Sequence, residues 1–216
     1  MSENRVKVPV PQPVLKRLPR YLNYLRGKKE EGMERISSTI IASDLNLNPV
    51  QVRKDIAYVS DSGKPRTGFS VYELIRDIER FLGYGNTKDA VLVGAGHLGK
   101  SLLAYGGFAD YGLHILAAFD VSRDMIGAEI SGKPVLSVER LPEMTERLCA
   151  HIGIITTPPE AAQDVCDLLV AGGVQAIWNF APVHLEVPDR IIVQNEDIAA
   201  SLALLSNKLA EREKTR

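Results

Sequence analysis

Residues 91–99, Val-Leu-Val-Gly-Ala-Gly-His-Leu-Gly, restrict the fold more than any other stretch of this chain. A short apolar run reads as a buried strand. It is followed at once by Gly-x-Gly-x-x-Gly and by the apolar residues of a new helix. Each glycine answers a separate demand of a strand–turn–helix unit. Gly94 permits the tight turn, Gly96 lets the backbone approach a pyrophosphate, and Gly99 lets the helix pack close to the strand. The free N–H groups of Ala95, Gly96, His97 and Leu98 then surround the start of the helix, where phosphates bind. Asp120 ends a second apolar run 21 residues after Gly99. A carboxylate at that point accepts from a ribose 2′-hydroxyl and repels a 2′-phosphate, which selects NAD(H) as cofactor. Arg123 lies three residues further on and leaves accommodation of NADP(H) open.

The pattern around this loop alternates. Strands are expected at 90–93, 115–119, 151–155, 175–178 and 190–193, with helices at 98–105, 138–148 and 160–170. Such alternation means an α/β fold with a doubly wound, mostly parallel sheet of Rossmann type. A last helix is expected from 196 to 211. Its apolar residues Ile198, Leu202, Leu205 and Leu209 fall at spacings of 4, 3 and 4. They suit either a cover for the chain's own sheet or a surface for a partner.

The N-terminal part differs in charge and pattern. Residues 1–85 carry 15 Lys and Arg against 10 Asp and Glu, and residues 86–216 carry 11 against 17. A basic region joined to an acidic one suggests an anionic partner for the first, nucleic acid being the commonest. A helix over 15–26 is expected to start late because of Pro19, and residues 28–34 read as a charged loop. Ser38 then caps a short helix with Ile41, Ala42 and Leu45 inward, and Asn46-Leu47-Asn48 makes a turn. Asn48-Pro49 reads as cap and first residue of a second helix. Val52, Ile56 and Val59 face inward there, with Gln51, Arg53, Lys54 and Asp55 on other faces. Short helix, tight turn and basic second helix is a helix-turn-helix pattern. Residues 60–68 follow as a turn-rich loop with Lys64 and Arg66, where a wing belongs. Ser70-Val71-Tyr72-Glu73 is a capping box opening another helix.

Other classes are disfavoured. No apolar run approaches the roughly 20 residues of a spanning helix, and the first 22 residues lack the apolar core of a cleaved signal. Only Cys149 and Cys166 are present, without CxxC spacing, so neither a disulfide framework nor a cysteine metal site is expected, and the cytoplasm is the natural compartment. Beyond the first 85 residues the chain holds one nucleotide fold and a helix, leaving little room for a substrate domain. The four histidines, His97, His114, His151 and His184, form no metal-ligand or catalytic pattern, and no Tyr-x-x-x-Lys pair starts within residues 86–216. An enzyme is therefore not expected. A small NAD(H)-dependent reductase with a helical N-terminal domain is the alternative.

The combination resembles the Rex family of redox-sensing transcriptional repressors. The matching stretches are Lys16-Arg17-Leu18-Pro19-Arg20-Tyr21, Pro49 to Ala57 with its Val-Arg-Lys-Asp, the glycine loop, Tyr105-Gly106-Gly107-Phe108, Phe119-Asp120-Val121, Trp178-Asn179-Phe180-Ala181-Pro182 and Asn195-Glu196-Asp197-Ile198. The resemblance implies a winged-helix DNA-binding domain at 1–85, a Rossmann NAD(H) domain at 86–195 and a dimerisation helix at 196–216, exchanged between the subunits of a homodimer. It implies a repressor of anaerobic and fermentative genes that leaves a palindromic double-stranded operator when NADH binds. Gln51, Arg53, Lys54, Lys64, Arg66 and Arg17 would face DNA. Tyr105, Thr156, Asn179, Phe180 and Ile198 would join the glycine loop and Asp120 around the cofactor. Tyr105 and Asp197 would form a switching hydrogen bond across subunits. Two departures stand out. The wing is Gly63-Lys64-Pro65-Arg66-Thr67-Gly68-Phe69, where the family commonly has Gly-Lys-Arg-Gly-Val-Gly-Tyr. Ile198 stands where the family often has phenylalanine.

Overall fold

The computed structural model describes residues 10–63, 67–84 and 88–214, with the backbone alone at Ile198 and Lys214. The chain divides into two compact units, Met1–Asn86 and Thr87–Arg216.

In the first unit, α1 (Gln12–Glu30) packs along α4 (Val71–Leu82), and α2 (Ser38–Asp44) packs on α3 (Pro49–Ala57). A two-stranded antiparallel sheet joins β1 (Arg35–Ile36) to β2 (Phe69–Ser70). Leu18, Tyr21, Leu22 and Leu25 of α1 meet Ile41, Val52, Ile56, Leu74 and Ile78 in one core. That burial explains why α1 starts earlier than expected and carries Pro19 in its interior. Each fully buried leucine contributes about 1.5–3 kcal/mol, and together they outweigh the roughly 3 kcal/mol cost of an internal proline. The helix also continues through Lys28 and Lys29 into the stretch expected as a charged loop, and Lys28 pairs with Glu31 at 2.8 Å.

The turn between α2 and α3 follows from local chemistry. Ser37, not Ser38, caps α2 by accepting from the Ile40 N–H. Asn46 takes the left-handed conformation at φ 52°, which asparagine tolerates better than most residues. Asn48 Oδ1 accepts from the N–H groups of Val50 at 2.9 Å and Gln51 at 3.3 Å, and Pro49 fills the first helical position. Ser70 caps α4 through the Glu73 N–H, as the capping box requires.

Asp55 corrects the sequence reading. It is 3% exposed on the inner side of α3. Arg17 grips it with two bonds, Nε to Oδ2 at 2.7 Å and Nη2 to Oδ1 at 2.8 Å, and the Tyr21 hydroxyl donates to Oδ2 at 2.7 Å. A buried carboxylate is tolerated only when paired in this way.

The second unit is built on a sheet ordered β5-β6-β4-β3-β7-β8-β9. Its strands are β3 (Lys88–Val93), β4 (Leu113–Asp120), β5 (Glu129–Ile130), β6 (Lys133–Ser137), β7 (Ile152–Ile155), β8 (Ala176–Asn179) and β9 (Ile192–Asn195). All neighbours pair in parallel except β5 with β6. That hairpin was not legible in sequence. Its loop is Ser131-Gly132, both at positive φ, as a two-residue hairpin turn matching strand twist demands. On one face of the sheet, α6 (Leu141–Arg147) and α7 (Pro159–Ala171) cover Val91, Val93, Phe119 and Ile155. On the other, α5 (His97–Ala104) and a 3-10 turn at 106–111 lie over Leu92, Ile115, Ala118 and Ile154. The last helix, α8 (Ile198–Lys214), begins two residues later than expected and keeps Leu202, Leu204, Leu205 and Leu209 more than half exposed.

Tyr21 links this packing to pH. Burial pushes its hydroxyl up to about 12, and the bond to Asp55 adds to the shift. A raised tyrosine pKa favours the neutral form in the fold. Its stabilisation is therefore complete below about pH 10 and is lost as pH rises toward 12. In urea unfolding, Tyr21→Phe is expected to cost about 1–2 kcal/mol at pH 7 and to lower the slope of stability against pH between 10 and 12.

Candidate nucleotide site and DNA-facing surface

Leaving out the antiparallel edge, the parallel strands run third, second, first, fourth, fifth, sixth in chain order. The order reverses between β3 and β7. In open α/β sheets that reversal leaves a crevice beyond the C-terminal ends of the strands, where ligands bind. The glycine loop leaves β3 at this point, and Thr156 leaves β7 beside it.

The loop geometry matches the separate roles assigned to its glycines. Gly94 sits at φ +100°, and a β-carbon there would lie 2.8 Å from the Thr156 carbonyl oxygen. A β-carbon on Gly99 would strike the Gly94 carbonyl. At Gly96 one would meet nothing within 4 Å, so that backbone borders open space. Gly96 precedes α5, and His97 and Leu98 form its exposed first turn. The Thr156 hydroxyl lies 2.8 Å from the Gly94 carbonyl and 3.0 Å from that of Val93, and ties β7 to the loop.

Asp120 does more than its ribose assignment anticipates. Its Oδ2 accepts from the Ala95 N–H at 2.7 Å and its Oδ1 from the Ser122 N–H at 2.8 Å. The acid at the end of β4 is thus a clasp on the glycine loop. A carboxylate has about four acceptor positions, so capacity remains for a sugar hydroxyl.

Four aromatic side chains line up on the α5 side. Tyr105 meets Phe108 edge-on at 4.8 Å, Phe108 meets Trp178 at 5.7 Å, and Trp178 meets Phe180 at 4.9 Å. Sequence reasoning named Tyr105 and Phe180 but assigned nothing to Phe108 or Trp178. Their only signal was position inside the matching stretches. Asn179 corrects an expectation. It is fully buried, and its Nδ2 is surrounded by the Ala181 and Val183 carbonyls and Asn195 Oδ1 at 2.9–3.1 Å. Its Oδ1 accepts from the Ala181 N–H at 3.0 Å. Its amide braces the turn that carries Phe180 and is not turned to a cofactor. Tyr105 and Asp197 are not bonded within one chain. Tyr105 is 54% exposed, and Asp197 Oδ1 caps α8 by accepting from the Ala200 N–H at 2.7 Å.

On α3, Arg53 and Lys54 are exposed. Arg17 is engaged with Asp55, and the Gln51 amide, turned with its oxygen inward, accepts from Arg17 Nη1 at 3.0 Å. Two of the residues expected to face DNA therefore pair with each other. They line a groove of about 650 Å³ that also takes in Asn48, Val50, Lys54 and Tyr58. Lys64 and Arg66 lie outside the described residues. Among the described residues no group of three His, Cys, Asp or Glu could hold a metal ion, and no helix is long and apolar enough to cross a membrane.

Comparison with known proteins gives the family. A proteins model described as CoA binding domain matches residues 85–183, and one described as Putative DNA-binding protein N-terminus matches 9–57. The redox-sensing transcriptional repressor Rex of Bacteroides fragilis is 41% identical over 93% of this chain and 91% of its own length. That of Treponema denticola is 42% identical over 92% and 94%. The chain belongs to the Rex family. Among solved structures, the Rex-family repressor RSP in complex with β-NAD+ and operator DNA has a TM-score of 0.90 at 33% identity, covering 97% of this chain and 96% of that one. RSP in complex with β-NADH has a TM-score of 0.85 at 32% identity, covering 97% and 98%. The parallel sheet described above is the Rossmann-like sheet of a Rex protein.

The Asp120 clasp makes a prediction that needs no ligand. Asp120→Ala frees two backbone donors, and losing bonds to a charged acceptor costs about 1.5–3 kcal/mol. Hydrogen exchange at the Ala95 amide is expected to accelerate by at least tenfold, with the α1–α4 core unchanged.

Proposed function

We propose that this chain is a redox-sensing repressor that binds a palindromic operator as a homodimer and leaves it when NADH binds. The observation that carries the reading is the glycine loop at the sheet's reversal, clasped by Asp120, in a chain about 40% identical to Rex repressors over nearly its whole length. Gly96, His97 and Leu98 cradle the pyrophosphate on the turn shaped by Gly94 and Gly99, and Asp120, which already holds the Ala95 N–H expected to be free, takes the ribose hydroxyl. Tyr105, Phe180, Thr156 and Ile198 surround the nicotinamide. The match to a model named for CoA is compatible, since a glycine loop of this kind cradles diphosphates generally. The acid at Asp120 favours the ribose of NAD(H).

Reduction removes one positive charge from the nicotinamide. Burying the cationic ring against apolar side chains costs more than burying the neutral one, so a largely apolar pocket prefers NADH. Asp197 would reverse that preference if it faced the ring; as the cap of α8 it is engaged elsewhere. Driving a dimer from about 1% to about 99% in its DNA-free form takes about 10⁴-fold differential affinity, roughly 5.5 kcal/mol. Two cofactor sites share that at about 100-fold each. Operator DNA then weakens NADH binding by the same overall factor.

The DNA half of the reading rests on α3. Arg53 and Lys54 read base edges in the major groove, and Lys64 and Arg66 bind phosphates or the minor groove. Arg17 acts through Asp55, orienting α3, and Gln51 joins it. Homodimerisation through exchange of α8 is supported by the four leucines that this helix leaves exposed on its own chain. Burying them against a partner would gain about 1.5–3 kcal/mol each. A repressor of this kind works in the cytoplasm, beside the chromosome and the NADH pool.

The test is fluorescence anisotropy of a labelled palindromic duplex. NADH is expected to release it at concentrations where NAD+ does not, and indifference to both would overturn the sensing reading. Arg53→Ala or Lys54→Ala is expected to weaken operator binding by about 1–3 kcal/mol. A chain ending at Asn195 is expected to sediment as a monomer; a dimer would place the interface elsewhere.

A further inference from the structure

We infer that Trp178 and Glu196 form a positioning bond that passes occupancy of the nicotinamide pocket to the start of α8 within one subunit. This inference rests on the reading under Proposed function and deepens it. Trp178 is the only tryptophan of the chain. It stands on β8 with its ring against Phe108 and Phe180, and Phe108 in turn meets Tyr105. Its indole N–H donates to Glu196 Oε1 at 3.0 Å.

Glu196 is held a second time, because its backbone N–H donates to the Asn179 carbonyl at 2.8 Å. Asn179 also bonds Asn195 through its side chain at 2.9 Å. The next residue, Asp197, caps α8. The end of β8, the end of β9 and the first turn of α8 are thereby tied together. The side of that cluster nearest the cofactor crevice is aromatic. A ring entering beside Tyr105 and Phe180 must shift Phe108, edge-on to both Tyr105 and Trp178, or Phe180, tilted against Trp178, since packed rings have discrete arrangements and little free space. The indole passes the shift to Glu196, one residue from the cap of α8. Most α8 residues are exposed on their own chain, and this stapled start joins the helix to the sheet. Phe108 and Phe180 lack a polar edge, and Trp178 alone among the three can join the pocket to a carboxylate.

A role in simple packing is separable from a role in coupling. The readout is the coupling ratio, which is the factor by which operator DNA weakens NADH binding to the full-length protein. Loss of stability alone does not move that ratio among folded molecules. Trp178→Phe keeps a ring and removes the donor. Glu196→Ala removes the acceptor, and Glu196→Gln keeps an acceptor oxygen. Trp178→Phe and Glu196→Ala are expected to lower the ratio at least tenfold, with operator affinity in the absence of cofactor within twofold of wild type. That affinity also verifies that each variant folds. Glu196→Gln is expected to stay within threefold of the wild-type ratio. The double variant Trp178→Phe, Glu196→Ala is expected to lose no more than either single one, as two partners of one bond do. A wild-type ratio in Trp178→Phe or Glu196→Ala overturns the inference, as does a loss in Glu196→Gln equal to that in Glu196→Ala. A wild-type protein with no coupling at all overturns the reading of the function together with this one.

Discussion

The bond from the Ala95 N–H to the Asp120 carboxylate holds the second unit's chemistry in place. Two strands, β3 and β4, lie side by side in the sheet, and each ends in a loop that would otherwise be free to move. The carboxylate joins those loops across their ends, while the Thr156 hydroxyl joins the same glycine turn to β7. The turn is thus fixed from both flanks of the sheet's reversal point. Its own backbone is held in a shape only glycine accepts at Gly94 and Gly99. Preorganisation of this kind leaves the first turn of α5 facing open space, with N–H groups available to a diphosphate. On the proposed reading, Asp120 both selects the sugar and holds the loop rigid, so the two cannot be altered independently.

The first unit solves a different problem with the same device. A helix that reads DNA needs a fixed orientation, yet its outer face must stay polar and uncommitted. Asp55 provides the anchor from the inner face of α3. Arg17 and Tyr21 come from α1, so three polar groups fix the angle between two helices that also share an apolar core. A bidentate guanidinium–carboxylate pair is directional where leucine packing is not. On the proposed reading, Arg17 serves DNA recognition through geometry, while Arg53 and Lys54 lie exposed on the outer side.

The terminal helix is held at its start. Asp197 caps it, Glu196 ties the preceding residue to Trp178 and Asn179, and the leucines beyond extend away from their own core. That arrangement suits an element whose partner lies on another chain. It also puts the held start of α8 next to the aromatic side chains that, on the proposed reading, would receive the nicotinamide. On the proposed reading, pocket and helix share the Trp178 wall, so motion at one is available to the other.

The amino-acid sequence alone determined the architecture and the location of the cofactor loop. Glycines at fixed spacing after an apolar strand, an acid 21 residues on, and Asn48-Pro49 before a basic helix depend on local backbone chemistry, and local chemistry is written in consecutive residues. Tertiary structure alone decided what paired with what. Asp55 read as an outward residue because nothing near it in sequence reveals Arg17 and Tyr21, 38 and 34 positions away. Pro19 read as a sign of a late helix start because its neighbours' burial against α4 is not local. Asn179 read as a cofactor contact because its position beside Phe180 is visible, whereas the carbonyls that occupy its amide come together only when β8 and β9 align. The same holds for Trp178 and Glu196, 18 residues apart and joined by 3.0 Å. Hydrogen bonds between distant residues form only after the chain has closed its loops, and no pattern of adjacent residues specifies them.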